Sequence, residues 1–170
     1  RSLTADRSQP LYTPDERARR DATPWTIVQA ILAPLQFAAF LVSLWLVSQY
    51  LLTGEGLLVA TISVVVKTML LYAIMITGSI WEKVVFDKWL FARPFYWEDV
   101  FSMLVIALHT AYLIVLFAGY LGPRGQMYLA LAAYATYVVN AAQFLLKLRS
   151  GRLEEARRDR GEMLSVGATE

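Results

Sequence analysis

Two ionisable side chains, Lys67 and His109, stand near the middle of apolar runs long enough to cross a membrane. A bilayer centre is the costliest place to keep such a group, which makes both functional candidates. His109 is the only histidine and the chain has no cysteine, so a thiolate site, an iron–sulfur cluster and a multi-histidine metal site are excluded. One imidazole can still be the axial ligand of a metal already held by a macrocycle, or hand on a proton. Lys67 can neutralise an acid across a helix bundle or meet a ligand directly. Three carboxyls, Glu82, Glu98 and Asp99, border the connection between the second and third runs. Shelter among Trp81, Trp89 and Trp97 would let one of them keep its proton near neutrality, the condition for general acid work.

The elements that must position these groups are four apolar runs, at 25 to about 52, 57–81, 100–121 and 127–148. Each has at least the roughly 20 residues that cross about 30 Å of hydrocarbon. A composition of 57% hydrophobic residues with mean hydropathy +0.45 is too apolar for an ordinary soluble domain. The sequence therefore predicts an all-α integral membrane four-helix bundle. The connections at 53–56 and 122–125, each with two glycines, are too short to do more than turn the chain, so runs one and two, and three and four, should be antiparallel neighbours. Pro34 inside the first run should kink it or leave a carbonyl in need of another partner.

Helical spacing gathers the polar side chains. Glu98, Ser102, His109 and Tyr112 share one face of the third span, and Thr136, Asn140, Gln143 and Lys147 share one face of the fourth. The second span offers Ser63, Lys67, Gly78 and Glu82, and the first offers Gln29 and Gln36. Lipid cannot satisfy these groups, so the four polar faces should turn inward and form a seam. Taken singly, Gln29, Gln36, Asn140 and Gln143 read as interhelical glue; their coincidence on every span points to a buried site.

Charge sets the expected orientation. Of 16 Lys and Arg residues, five precede the first span (Arg1, Arg7, Arg17, Arg19, Arg20), three lie between spans two and three (Lys83, Lys88, Arg93) and six follow from Lys147 onward. Arg124 alone lies on the other side. By the positive-inside rule both termini and the middle connection are cytoplasmic. The first run is about twice the length of a signal core, so a cleaved signal peptide is not expected. This divides the chain into a cytoplasmic arm at 1–23, a membrane domain at 24–149 with an aromatic connection at 82–99, and a charged tail at 150–170. That connection, with aromatics interleaved among acids and bases, suits either an interfacial belt or a roof over a site for a large flat ligand. A net charge of +2 and the absence of any glycine-rich phosphate loop argue against nucleic-acid and nucleotide partners.

Several clusters resemble one family in order along the chain. They are Pro24-Trp25, Val28-Gln29, Leu32-Ala33-Pro34-Leu35-Gln36-Phe37, the stretch from Thr77-Gly78 through Trp81-Glu82-Lys83 to Phe86, Phe95-Tyr96-Trp97-Glu98-Asp99, His109-Thr110-Ala111-Tyr112, and Tyr137 through Asn140 to Gln143-Phe144. Together they resemble the vinyl bacteriochlorophyllide hydratases of bacteriochlorophyll biosynthesis, over about residues 11–149; Arg93 stands where a more apolar residue is expected. The resemblance implies a hydro-lyase in a bacterial inner membrane that adds water to the ring A vinyl group of a magnesium chlorin and leaves a 1-hydroxyethyl group. The magnesium belongs to the substrate, no cofactor is implied, and a homo-oligomer or contacts with other enzymes of the pathway are compatible with it. A flat, apolar pigment with one free propionate suits an aromatic-lined site with its acid end at the basic interface. On the physical reading Glu82 and Glu98 are the favoured acid and base, and Asp99, turned about 100° away on its helix, is expected to cap or pair. His109 is expected to hold the magnesium or relay protons, with Lys67, Lys83, Trp81, Trp97, Tyr112, Asn140, Gln143 and Gln36 in contact with the pigment. The alternative is a non-catalytic pigment-binding protein with His109 as its magnesium ligand.

Overall fold

The computed structural model describes residues 10–167, so the start of the arm, with Arg1 and Arg7, and the last three residues of the tail lie outside the described residues. Five helices follow in order: α1 (Pro14–Ala22), α2 (Pro24–Thr53), α3 (Leu57–Phe86), α4 (Tyr96–Ala118) and α5 (Pro123–Gly167), with one 3₁₀ turn, Arg93–Phe95, ahead of α4. Among the described residues there is no strand. The helices α2 to α5 are each long and apolar enough to cross a membrane.

Local chemistry sets the boundaries. Pro14 opens α1 behind a capping box in which Thr13 Oγ1 accepts the Glu16 N–H and Glu16 Oε2 accepts the Thr13 N–H. Pro24 opens α2 behind Thr23. Gly54 closes α2 and Gly56 precedes α3, both in the left-handed region at φ 76° and 82°, where a side chain would be strained. Pro34 removes one backbone bond, yet α2 runs through it as one helix. The predicted third span is shortened at its end, because α4 stops at Ala118 and Gly119 turns out of it at φ 71°. The fourth span does not stop at 149: α5 continues without a break to Gly167, a rod of about 67 Å at 1.5 Å per residue.

The backbones approach most closely within two hairpins, α2 with α3 and α4 with α5, and stand further apart between the hairpins. Large side chains fill that seam: Phe40, Leu71, Tyr112, Tyr134 and Tyr137 all belong to the buried core. Lipid-facing positions such as Ile31, Trp45, Ile62, Ile114 and Leu145 are exposed on the bundle's outside, as expected where the solvent is hydrocarbon. At the end of the bundle that carries α1, the arm folds back. Tyr12 stacks on Phe86 with ring centres 5.7 Å apart, Arg20 lies 4.6 Å above the Tyr12 ring and donates to Glu155 of α5 at 2.8 Å. Burial pushes the Tyr12 phenol up to about 12, so it stays protonated. Leu11 lies so close to Gly151 that a methyl group on that glycine would collide with it.

Candidate functional site

Two groups of buried polar side chains occupy the seam. The first lies at the arm-side ends of α3 and α4. Glu82, 5% exposed, and Asp99, 2% exposed, bring their carboxyls against each other. Two carboxyls so placed can bond to each other only when one proton lies between them. The connection supplies the remaining donors: Glu82 Oε2 accepts the Ala92 N–H at 3.2 Å and Asp99 Oδ2 accepts the Phe91 N–H at 2.9 Å. Phe91 holds a left-handed conformation, φ 60°, which costs a β-carbon-bearing residue about 1–2 kcal/mol. The bond to Asp99 helps fix it there. Around this end runs a chain of aromatic contacts, Phe86 on Trp81 and Phe95, and Phe95 on Phe144, all with ring centres within about 6 Å. Trp81 Nε1 donates to Thr26 Oγ1 at 2.9 Å, tying α3 to the start of α2.

The partner of Glu82 is Asp99, not Glu98. Glu98 turns toward α5, where Lys147 Nζ stands 3.7 Å from its Oε1. Trp89 and Trp97 are 61% and 72% exposed and form an outer belt rather than a shelter; of the three tryptophans only Trp81 joins the aromatic cluster. Lys83 is engaged by Asp87 one turn on.

A polar bridge leads from the pair into the bundle. The Ser102 hydroxyl lies 2.8 Å from the Glu98 carbonyl and 3.0 Å from Asn140 Oδ1. Asn140 Nδ2 donates to the same carbonyl at 2.9 Å and to Gln143 Oε1 at 3.3 Å. The polar faces of the third and fourth spans thus meet, as their spacing requires.

Deeper in, every span contributes to a second group. The His109 ring is fully buried, and its Nδ1 lies 2.7 Å from the Val105 carbonyl. A carbonyl only accepts, so Nδ1 carries the hydrogen and Nε2 presents a free lone pair. That Nε2 has no partner, nor do Gln36 Oε1, Lys67 Nζ and the Tyr112 hydroxyl. Lys67, fully buried, places its ammonium 3.3 Å from the centre of the Tyr137 ring and 5.9 Å from that of Tyr134. Tyr134 in turn lies beside the imidazole, ring centres 5.8 Å apart, and its hydroxyl meets Ser43, which also bonds Ser63 at 2.8 Å. No set of three or more His, Cys, Asp or Glu side chains capable of holding a metal ion occurs among the described residues. A single unpartnered imidazole nitrogen suits a metal that arrives already ligated.

Comparison with known proteins places this arrangement. The family model for 2-vinyl bacteriochlorophyllide hydratase matches residues 12–150. The chain belongs to that family. A 2-vinyl bacteriochlorophyllide hydratase of Rhodobacter capsulatus is 66% identical over 94% of this chain and 92% of its own length. One from Cereibacter sphaeroides is also 66% identical, over 85% of this chain and 89% of its own. No solved structure matches it.

The stretch matched to the hydratase family spans both polar groups and ends where α5 leaves the bundle. Three features of the site were not singled out from the sequence. Tyr134 and Tyr137 line the midplane group; their spacing with Asn140, at i, i+3 and i+6 on α5, is the signal that could have found them. Ser43 continues the seven-residue spacing of Gln29 and Gln36 on α2, a signal of the same kind. The amides of Phe91 and Ala92, which hold the carboxyl pair, are backbone groups and invisible to any reading of side-chain types.

Proposed function

We propose that this chain hydrates the vinyl group of a bacteriochlorophyllide-type magnesium chlorin, and that the Glu82–Asp99 pair is its acid and base. The proton shared by the two carboxyls is delivered to the terminal vinyl carbon. The C=C π pair forms the new C–H bond, and the positive charge on the inner carbon spreads into the macrocycle. Water then adds its oxygen to the inner carbon and returns a proton to the pair, which is restored. The product carries a 1-hydroxyethyl group, and no electron is gained or lost. One buried pair that alternates between giving and taking a proton suits both half-reactions. His109 Nε2, held with its lone pair free, is the group that would take the axial position on the substrate's magnesium and fix the ring below the carboxyls. Asn140, Gln143, Ser102 and Glu98 brace α4 against α5 between the two.

The observation that carries the activity is family membership over nearly the whole chain; the one that carries the mechanism is the placing of two buried carboxyls against each other. The basic residues around the arm-side end support a cytoplasmic location for both termini in the inner membrane of a photosynthetic bacterium. The test is to add the purified protein in detergent to the vinyl pigment. A product heavier by one water, with its long-wavelength band shifted to the blue, is expected. Pigment that binds unchanged would favour the pigment-holding alternative. A reporter fused after Glu170 that worked only in the periplasm would reverse the orientation.

A further inference from the structure

Lys67 is a base without an acid. It is fully buried, its Nζ makes no hydrogen bond, and among the described residues no carboxylate forms an ion pair with it; the Tyr137 ring is its nearest recorded partner. Keeping an ammonium in such a place is costly, and a ring face offsets only part of the cost. Four bases at the arm-side end are placed differently: Lys83 meets Asp87, Lys147 meets Glu98, and Arg17 and Arg20 meet Asp159 and Glu155. An incoming anion finds those four engaged, and two acidic groups at Glu82 and Asp99.

We infer that Lys67 receives the free carboxylate of the pigment's propionate, so that the substrate lies with its vinyl edge at the arm-side carboxyl pair and its acid edge deep in the bundle. This rests on the hydratase reading and sets the pigment's orientation within it, opposite to the one in which the acid end stays at the basic interface. The names of the relatives specify a chlorophyllide, the form whose propionate is not esterified. Vinyl and propionate project from well-separated positions on the macrocycle's rim, so a vinyl group at Asp99 directs the propionate away from that end. Charge agrees with this direction, since the carboxylate leaves two acidic groups and approaches a lone base. The neighbours complete the receptor. The Tyr112 hydroxyl can donate to a carboxylate oxygen beside the Lys67 ammonium, whereas His109, having used its only N–H on Val105, cannot, and remains available to the metal. The consequence is selectivity for the free acid over esterified pigments, set in the bundle's interior rather than at its rim.

The experiment compares the vinyl pigment as free acid with its carboxamide, which has nearly the same shape and no charge, on the full-length protein in detergent. The wild type should prefer the free acid by about tenfold or more in KM, the size of one hydrogen bond to a charged group. Lys67→Met, close in volume and uncharged, should reduce that preference to near unity. Equal KM values for acid and amide in the wild type would overturn the inference, and so would a Lys67→Met protein that keeps the full preference. If that variant fails to accumulate in membranes, Lys67→Gln, polar and uncharged, takes its place in the same comparison with the same two outcomes. Should neither pigment be hydrated, the hydratase reading is what fails; titrating the same two pigments into the wild type by absorbance still tests the inference, with tighter binding of the acid supporting it and equal binding refuting it.

Discussion

At the arm-side end of α3 and α4, the carboxyls of Glu82 and Asp99 lie against each other and accept two backbone N–H groups. About 15 Å along α4, Gln36 Oε1, Lys67 Nζ, His109 Nε2 and the Tyr112 hydroxyl are buried without a well-formed hydrogen bond. Both regions are buried by the same helices, and both would be expensive in lipid if left unpaired. The pair has been completed by the protein itself and clamps a strained connection. The midplane group is incomplete, at a cost of about 1–3 kcal/mol for each unpaired atom, and a bound molecule with matching groups would recover it. On the proposed mechanism the first region transfers protons and the second holds the pigment.

The sharpest way to break this comparison is at His109. On the proposed reading, replacing it by Leu should abolish turnover while the protein still inserts, since the proposed ligand to the pigment's metal is lost; full activity in that variant would return the ring to a structural role. Glu82→Gln and Asp99→Asn keep the size of each carboxyl and remove its ionisable proton. Each should cost at least about a hundredfold in rate, the low end for a general acid or base, with pigment binding retained. Wild-type rates in both would leave the pair as a clamp only and move the chemistry to the midplane. Glu98→Gln tests whether the role has been placed on the right carboxyl. Because Glu98 pairs with Lys147 rather than with Glu82, its loss should cost less than about tenfold, below the range of a general acid. The smallest effect is expected at the arm. Gly151→Ala forces Leu11 aside, and about 1 kcal/mol of overpacking should speed tryptic cleavage at Arg17 to Arg20 roughly fivefold. An unchanged cleavage rate would mean that the arm is held by its ion pairs rather than by that contact.

Much of this protein could be read directly from its residues. Four apolar runs, two glycine turns and the capping residues determined four antiparallel spans, because in lipid a helix is the one open-ended way for a segment to satisfy its own backbone. Spacing on α4 and α5 determined that Glu98 and Ser102 would face Asn140, since helical periodicity decides which side chains share a face. Periodicity could not decide which face of α3 meets which face of α4. Asp99 stands one position from Glu98, and only the rotation of α4 against α3 gave the pair with Glu82 to Asp99. The exposure of Trp97 and the half-buried place of Trp81 follow from that same rotation. The donors to the carboxyls come from the backbone of Phe91 and Ala92, whose amides every sequence contains and only a folded connection can aim. The sequence by itself determined that a lysine and a histidine would be held inside the membrane; tertiary structure decided that neither would find an acid there, because the helices that surround them bring tyrosines to that level instead.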